Sequence, residues 1–395
     1  KDKSEIVSTF QKEYDSVSKI WLSAGDQHNG GSTVIIEFRN TEKVIYKLSS
    51  AGVTIAYNYF LRWVGNQLGT ELKTFSVVDK GDYSWLEYVA NDACTNPGDV
   101  SLYYERAGIL AGLSYFLNST DYHCENLIAS GNCPVLVDHE TIIGPEIGNL
   151  LPKSSIPEGL KQKRSKSVLN SSLLPNTNPN LPSYMCGFGS SIEQEMLLPQ
   201  TKFKDVNRIT MKKVKEDVLT ELYKKNKPLL NDQIENLCEY EDEFKKGFRD
   251  LYQLIQREKD HLLSSNSPLN CFKGVSIRLI NRPTRIYYKI LKGLNKPEFL
   301  KDATIYGLKL EILTRAYSSK SNFLHIPSSE RKQMLCGDIP AFYVKSTSNE
   351  LMLSDGQNAD IITMSAYEKI LENVASASSC DYDDQTKIIE EVVSL

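Results

Sequence analysis

One short run of polar and apolar residues, TDYHCENLIASGNCPVLVDHE, constrains this 395-residue chain more than any other feature. Within it, apolar residues alternate on both sides of a Gly-Asn turn, which is typical of a β-hairpin. Asn126 precedes this hairpin and Asp138 follows it, so the turn would bring the two side chains together. Both residue types are depleted in strands, and carboxylates at the end of a buried strand pair need a partner or a metal. We therefore predict a polar site at the open end of the hairpin.

The spacing within this run is that of a phosphoryl-transfer centre. In kinases one Asp lies beside the attacking hydroxyl, an Asn on the same loop binds a metal, and a second Asp binds the metal that bridges the nucleotide phosphates. Asp121, Asn126 and Asp138 fit these roles in this order. Two hard oxygen ligands would then converge on one Mg²⁺. The motif alone is also common in structural loops, so the inference depends on the rest of the chain.

The N-terminal part supplies the other half of a nucleotide site. The turn-forming run GDQHNGG precedes two predicted strands at residues 33–38 and 44–47, and Lys47 ends the second one. A kinase N-lobe presents its phosphate-covering loop and its lysine in this order. The predicted helix at residues 51–68 should carry the acidic partner of this lysine, yet it contains no Asp or Glu. The chain is therefore not an ordinary protein kinase. By their position in the chain, residues 85–89 would form the hinge between the two lobes, with backbone groups that face the adenine of a nucleotide.

Eight motifs in sequence order resemble one known family: GDQHNGG, VIYK, YYERAG, TDYHCENLIASG, VLVDHE, SVLNSSLLP, SIRLINRPTRIYY and CGDIPAF. From about Asp26 to the C-terminus, the chain resembles the dehydratase domain of class II lanthionine synthetases, the LanM-type lanthipeptide synthetases. The resemblance implies an α+β fold with a lipid-kinase-like bilobal catalytic core and additional helical segments. It also implies that ATP and Mg²⁺ are used to phosphorylate Ser and Thr of a precursor peptide, made of leader and core. The same site then eliminates phosphate to leave dehydroalanine or dehydrobutyrine.

The resemblance implies a role for each residue of the phosphorylation site. Asp121 matches the catalytic Asp, which orients or deprotonates the substrate hydroxyl, and His123 is its partner in the loop. Lys47 matches the lysine that binds the nucleotide phosphates. The residues that would bind the cofactor through its metal are Asn126, Asp138 and Glu140.

A second set of residues matches those that the family uses in elimination. Arg278 and Thr284, in RLINRPT, match its Arg and Thr. Separately, Asp26 and His28 match the GDxH pair of the family's N-lobe loop, to which the resemblance assigns a catalytic role without naming the step. A guanidinium suits a departing phosphate because its planar fork binds two oxygens at once. Arg282 would face the same way as Arg278 if the segment were helical. The alternative is that both arginines are solvated surface cations.

Composition limits the possible partners and compartment. The chain has 46 Lys and Arg residues and 50 Asp and Glu residues, which give a net charge of −4. No excess of positive charge therefore indicates that it binds a nucleic acid. No apolar run approaches the ~18 residues of a membrane span, and no signal peptide is visible. The eight cysteines form no CxxC pattern, which favours reduced thiols. We expect a cytoplasmic enzyme without a nucleic-acid partner or a membrane span.

The pattern along the chain predicts two regions. Residues 1–100 would form a kinase-like N-lobe, and residues 101–395 a C-lobe with the catalytic and metal loops and the elimination motif. Residues 150–199 are rich in Pro, Ser and Asn and predict a long loop in the position of an activation segment. Residues 202–263 predict helix with a break at Pro228. The charged residues from Lys202 to Lys227 would form a solvated helix face. The apolar stripe that follows, from Ile234 to Ile255, would belong to the core.

Departures from the family define what the chain is expected not to do. Only about 25 residues precede the GDxH motif, and the cysteines near the C-terminus lack the His partners of a cyclase zinc site. We expect dehydration without ring formation, with a cyclase domain separate or fused elsewhere; the start at Lys1 suggests an excised domain. Leu48 and Ser49 replace the family's Pro-Arg after Lys47. Two alternatives stay open: a kinase of a small molecule or lipid without elimination, and a peptide-binding pseudokinase.

Overall fold

The computed structural model describes residues 1–22, 24–28, 30–148, 166–175, 185–189, 195–221, 224–316, 325–353 and 356–393. Helices and strands are mixed along the chain, as predicted for an α+β protein. Among the described residues, no helix is long and apolar enough to cross a membrane.

A five-stranded antiparallel sheet forms the N-terminal part. Its strands are β1 (Val17–Trp21), β2 (Val34–Phe38), β3 (Lys43–Lys47), β4 (Val77–Asp79) and β5 (Ser84–Glu87), in the order β1-β2-β3-β5-β4. Helix α1 (Lys3–Phe10) packs apolar side chains against it, and α2 (Gly52–Leu68) connects β3 to β4. The predicted strands and the predicted helix are thus confirmed. Most of the predicted hinge lies inside β5, where Trp85 pairs with Tyr46.

Two helices cross at backbone contact in the main core. They are α3 (Pro97–Phe116) and α4 (Glu241–Arg257). A Cβ atom on Gly108 would lie 1.9 Å from the Phe244 carbonyl oxygen, and one on Gly247 would lie 1.7 Å from the Glu105 carbonyl oxygen. Only glycine therefore allows this approach. Because α3 ends just before Asp121, the crossing fixes where the candidate site begins.

We expect Gly247→Ala to lower the free energy of unfolding by about 3 kcal/mol, the upper end of the cost of overpacking a core. The added methyl group would have to push α3 away from α4. Gly293→Ala is the matched control, since nothing lies within 4 Å of the Cβ that it adds, and it should be neutral or slightly stabilising. Urea unfolding followed by circular dichroism measures both. Equal stability of the two variants would contradict the close crossing.

The predicted hairpin is confirmed. It consists of β6 (Leu127–Ser130) and β7 (Cys133–Leu136), with Leu127 opposite Leu136. Gly131 at the turn has a φ of 58°, a left-handed conformation that glycine adopts without strain. Beyond the strands, the Val137 amide donates to the Asn126 carbonyl at 3.1 Å. Asn126 and Asp138 therefore leave the hairpin at the same end.

The predicted helix at residues 202–263 is wrong in its first part. Residues 195–221 form a second hairpin, β9 (Glu195–Lys204) and β10 (Lys212–Glu221). Asp205 and Asn207 have left-handed φ values of 55° and 65° and turn the chain between them. The strands expose most of their side chains on both faces, so no apolar alternation revealed them. The predicted loop at residues 150–199 likewise ends earlier, because β9 begins at Glu195; residues 149–165, 176–184 and 190–194 lie outside the described part.

The predicted apolar stripe is core where it is helical. Phe244, Phe248 and Leu251 are buried on α4. Ile234, the first residue of the stripe, belongs instead to strand β12 (Gln233–Ile234), which pairs with β11 (Leu229–Leu230). The short helix α5 (Lys259–Leu262) follows α4.

The C-terminal part combines short strand pairs with helices. Strand β13 (Ser276–Leu279) pairs with β14 (Phe342–Lys345), β15 (Leu351–Met352) with β16 (Asn358–Ala359), and β17 (Ile362–Met364) with β8 (Glu146–Ile147). The helices are α6 (Thr284–Leu294), α7 (Pro297–Leu300), α8 (Ala303–Lys309), α9 (His325–Leu335), α10 (Ala366–Ser376) and α11 (Ser379–Val393). Arg278 therefore lies on a strand, and the helical arrangement considered for Arg278 and Arg282 is wrong.

Candidate functional site

The loop after α3 holds Asp121 in a constrained conformation. The Thr120 amide donates to the Thr141 carbonyl at 3.2 Å, and the Thr141 hydroxyl donates to the Thr120 carbonyl at 2.7 Å. Asp121 has a φ of 67°, a backbone strain that is found mainly where the surrounding structure enforces it. Burial raises the pKa of Asp121, and the carboxylates of Asp138 and Glu140 act in the same direction. A raised pKa makes this carboxylate a stronger proton acceptor when it is ionised.

Lys47 has its acidic partner on the hairpin and not on α2. Its Nζ lies 2.8 Å from Asp138 Oδ1. Burial alone would lower the pKa of Lys47, but Asp138 and then Glu140 outweigh it, and the pKa is raised. Burial alone would raise the pKa of Asp138, but Lys47 outweighs it, and the pKa is lowered. Both groups are therefore charged at neutral pH, and the absence of an acidic residue in α2 is explained.

Arg278 and Glu140 form a second ion pair beside the first. Arg278 Nη1 lies 2.5 Å from Glu140 Oε1, and the Arg278 amide donates to the Glu140 carbonyl at 2.8 Å. The Arg278 side chain is only 9% exposed, so the solvated-cation alternative does not hold for it. One nitrogen of the guanidinium is used by Glu140, which leaves further N–H groups to bind an anion.

The oxygen atoms around these pairs suit a magnesium ion. Asn126 uses its amide nitrogen to donate to the Asp121 carbonyl at 2.9 Å, so its side-chain oxygen is left for a ligand. Asp138 and Glu140 each contact a cation through one carboxylate oxygen and keep a second. Among the described residues no three His, Cys, Asp or Glu side chains gather as a metal site. Mg²⁺ does not need such a cage, because it is usually bound by one or two carboxylates, water and substrate phosphates.

His123 is placed to order the loop. Its Nδ1 accepts a hydrogen bond from the Glu125 amide at 3.3 Å and so caps the 3₁₀ turn Cys124–Asn126. The His123 backbone also forms a β-bridge with Cys186. The charge interaction of His123 with Asp121 opposes the rise in the pKa of Asp121. His123 therefore lies between Asp121 and Asn126 and supports both.

The GDxH loop docks onto the CGDIPAF motif. His28 Nδ1 lies 2.6 Å from the Ile339 carbonyl, and the Gly30 amide donates to Asp338 Oδ1 at 3.1 Å. Since a carbonyl can only accept, Nδ1 carries the proton. Among the described residues, His28 Nε2 is buried and has no hydrogen-bond partner, so in the neutral ring it presents a lone pair. Asp26 on the same loop is exposed. The docked motif leads directly into β14, which pairs with the strand of Arg278.

Arg282 serves a different purpose from Arg278. Its guanidinium forms a fork with Glu330, with Nε 2.8 Å from Oε1 and Nη2 3.0 Å from Oε2. The Glu330 side chain is fully buried and also accepts from the Tyr287 hydroxyl at 2.6 Å. Thr284 begins α6 two residues after Arg282. The second arginine of the motif therefore anchors the segment that carries Thr284.

We expect Arg282→Met to destabilise the fold by about 3 to 5 kcal/mol, the usual cost of leaving a buried charge without its partner. The matched control is Arg285→Met on the exposed side of the same helix, which should change the free energy of unfolding little. Thermal and urea unfolding compare the two variants. Wild-type stability of Arg282→Met would show that Glu330 does not depend on this pair.

Tyr343 joins the site, although the sequence did not single it out. It stands opposite Arg278 in the β13–β14 pair and is half-buried. Burial raises the pKa of Tyr343, and the negative charge of Glu140 acts in the same direction. The hydroxyl therefore stays protonated near the carboxylate that contacts Arg278. Period-two alternation in FYVK predicts a strand, but nothing local indicates which strand it pairs with.

Comparisons with known proteins identify the family of this chain. The family model described as a domain of unknown function, DUF4135, matches residues 1–345. The chain is similar to the lacticin 481/lactococcin biosynthesis protein LcnDR2 of Lactococcus lactis subsp. lactis, with 25% identity over 98% of this chain. It spans only 43% of that relative's length. The resemblance to class II lanthionine synthetases is thereby confirmed, and the chain belongs to the DUF4135 family.

Proposed function

We propose that this chain dehydrates Ser and Thr of a lanthipeptide precursor, first by phosphorylation with ATP and Mg²⁺ and then by elimination of phosphate. The similarity to a lacticin 481 biosynthesis protein supports modification of such a peptide. The observation that carries the mechanism is the adjacency of two ion pairs, Lys47–Asp138 and Arg278–Glu140, around Asp121. The first suits a nucleotide site, and the second adds a buried guanidinium that phosphoryl transfer alone does not require.

The residues of this site can be assigned to the phosphorylation step. Lys47 ends the third strand of its sheet, the position of the phosphate-binding lysine in protein kinases. The oxygens of Asn126, Asp138 and Glu140 would hold Mg²⁺, which when bound neutralises charge on the phosphates. Asp121 accepts the proton of the substrate hydroxyl as the oxygen attacks the terminal phosphorus. The bond from that phosphorus to ADP breaks, and ADP leaves with the electron pair.

The elimination step needs a base and an anion-binding group. A base removes the α-proton of the phosphorylated residue, the new C=C bond forms, and the C–O bond breaks so that phosphate leaves with its electron pair. Arg278 binds the departing phosphate with the N–H groups that Glu140 does not use. Thr284 adds a hydroxyl donor. Asp26 and His28 are proposed to act in this step, because the free lone pair of His28 Nε2 is what a base requires.

Tyr343→Phe should slow elimination about tenfold, which corresponds to ~1.4 kcal/mol for the loss of one polar interaction with Glu140. Without the hydroxyl, Glu140 binds the Arg278 guanidinium more tightly and leaves it less available to phosphate. Nucleotide affinity should not change. Mass spectrometry measures the ratio of phosphorylated to dehydrated peptide, and Tyr288→Phe at an exposed position of α6 is the control. A ratio identical in both variants would remove Tyr343 from the site.

Incubating the chain with ATP, Mg²⁺ and a Ser/Thr-rich precursor peptide, followed by weighing the peptide, tests the proposal. Loss of water supports a dehydratase. Persistent gain of phosphate would indicate a kinase without elimination, and an unchanged mass would indicate a peptide-binding pseudokinase. Ring closure by a cyclase domain, separate or fused, is a later reaction in this proposal and does not affect the dehydration measured here.

A further inference from the structure

A cavity of about 620 Å³ opens beside the candidate site. Asp121 and Arg278 both line it, whereas Lys47 and Asp138 are not in its walls. The cavity therefore meets the two residues assigned to the substrate and the leaving group, and it lies apart from the lysine assigned to the nucleotide. A substrate in this cavity would contact Asp121 without contacting Lys47.

A second cavity, of about 320 Å³, continues the first. Both are lined by Asn118, Lys166, Asn170 and Lys369, so the two form one cleft. The cleft leads from Asp121 past Lys369 on helix α10. The second cavity adds space that Asp121 and Arg278 do not line, which leaves room for residues beside an acceptor Ser or Thr. A small molecule or a single amino acid would not need this extension.

The walls of the cleft combine amide groups with apolar side chains. The Asn118 side chain donates to the Gly144 carbonyl at 2.9 Å, and the Asn170 side chain donates to Asn118 Oδ1 at 3.3 Å. These two hydrogen bonds leave the side-chain oxygen of Asn170 as an acceptor for a peptide N–H. The apolar wall consists of Ile143, Pro145, Ile147, Leu279 and Ile280. Such a surface suits a peptide backbone with small or apolar side chains.

Two of the cations that line the cleft are paired with carboxylates within the protein. Lys369 is nearly buried, and its Nζ lies 2.9 Å from Glu146 and also contacts Glu372. Arg278 is paired with Glu140. A charged side chain next to the acceptor would have to compete with these pairs and lose its hydration. An uncharged flanking residue meets no such cost.

We propose that this cleft binds the stretch of precursor peptide that flanks the acceptor Ser or Thr, and that it selects uncharged residues there. The inference rests on the proposed function and specifies its substrate. It also lets the phosphorylated residue stay in place between the two steps, since Asp121 and Arg278 line the same cavity.

The cleft can be blocked at an exposed position without touching the reacting residues. Thr363 on β17 lines the cleft and is exposed, so Thr363→Trp fills it at little risk to the fold. The matched control is Met352→Trp, at a position that is 69% exposed on β15 and outside the walls. Circular dichroism and Mg·ATP affinity should be unchanged in both variants.

The probe is a synthetic peptide with one serine between neutral residues and a photoreactive diazirine amino acid next to the serine. In the parent chain and in Met352→Trp, we expect crosslinks to residues 143–148 and 166–172. Thr363→Trp should lower the yield of these crosslinks about tenfold, the result expected if it weakens the affinity for the peptide tenfold. Asp or Lys beside the serine should weaken crosslinking to a similar degree. Crosslinks that are absent, that lie elsewhere, or that Thr363→Trp leaves unchanged would overturn the proposal.

The mass of the same peptide after incubation with ATP and Mg²⁺ separates this inference from the proposed function. A chain that crosslinks the peptide in the cleft but neither phosphorylates nor dehydrates it would keep the cleft as a peptide site and contradict the dehydratase. A chain that dehydrates the peptide but crosslinks it outside the cleft would keep the dehydratase and overturn the cleft.

Discussion

Replacing Arg278 with Met is expected to change the product from a peptide that has lost water into one that carries phosphate. The Arg278 guanidinium is nearly buried, so the anion that it binds interacts with it in a site from which water is largely excluded. Losing one such donor group costs on the order of 3 kcal/mol in the step where negative charge develops. The transfer step depends on Lys47 and Asp138 and should survive. Mass spectrometry of the peptide shows the change directly.

Three variants serve as controls for Arg278→Met. Arg278→Lys keeps the charge but loses the planar fork, so an intermediate effect is expected. Thr284→Ala should accumulate phosphopeptide more mildly. Arg285→Met, at an exposed position of α6, should leave the product ratio unchanged. Dehydrated peptide without a phosphorylated species from Arg278→Met, or complete inactivity of a folded variant, would show that the role assigned to this residue is wrong.

Asp138→Asn is expected to abolish phosphoryl transfer and to remove Mg²⁺-dependent nucleotide binding. The change takes away a carboxylate that is proposed to hold the metal, and it leaves the half-buried Lys47 without its partner at 2.8 Å. Isothermal titration with Mg·ATP and phosphate transfer to peptide measure the two effects. Asp121→Asn is the matched comparison, because this residue is assigned to the substrate hydroxyl: nucleotide binding should persist while transfer is lost.

These two variants separate metal binding from proton transfer. Unchanged nucleotide affinity and turnover in Asp138→Asn would remove Asp138 from the metal site. Phosphorylation at the parental rate in Asp121→Asn would mean that another residue accepts the proton. The free energy of unfolding of each variant must be close to that of the parent for either conclusion to hold.

Local patterns in the sequence were sufficient for the elements that carry the site. The alternation around Gly131 predicts the β6–β7 hairpin, which places Asn126 and Asp138 at the same end. The strand that ends at Lys47 and the helix that follows it are also visible as local periodicity. These elements depend on neighbours in sequence, so their side-chain pattern contains the information needed.

The contacts that organise the site could not be predicted, because they join distant parts of the chain. Lys47 pairs with Asp138, 91 residues later, and Arg278 with Glu140, 138 residues earlier. Sequence spacing sets no distance across such separations. Tyr343 entered the site only through the pairing of β13 with β14.

The β9–β10 hairpin was mistaken for helix for another reason. Its strands carry lysines and acids on both faces, as at Lys213 and Glu216, and this composition also suits a solvated helix. A strand that buries neither face lacks the period-two signal that usually identifies it. Turn-forming residues such as Asp205 and Asn207 indicate a hairpin, but the charged composition around them favours a solvated helix.

The central claim is that one chain phosphorylates a peptide and then eliminates the phosphate, and a time course of peptide mass tests it most directly. The parent chain is mixed with Mg·ATP and a Ser/Thr-rich precursor peptide, quenched at intervals and weighed by mass spectrometry. The account predicts a phosphorylated peptide that rises first and then falls as the dehydrated peptide accumulates, with neither species forming without ATP. Phosphopeptide that persists unchanged, or dehydrated peptide that forms without ATP, would contradict it.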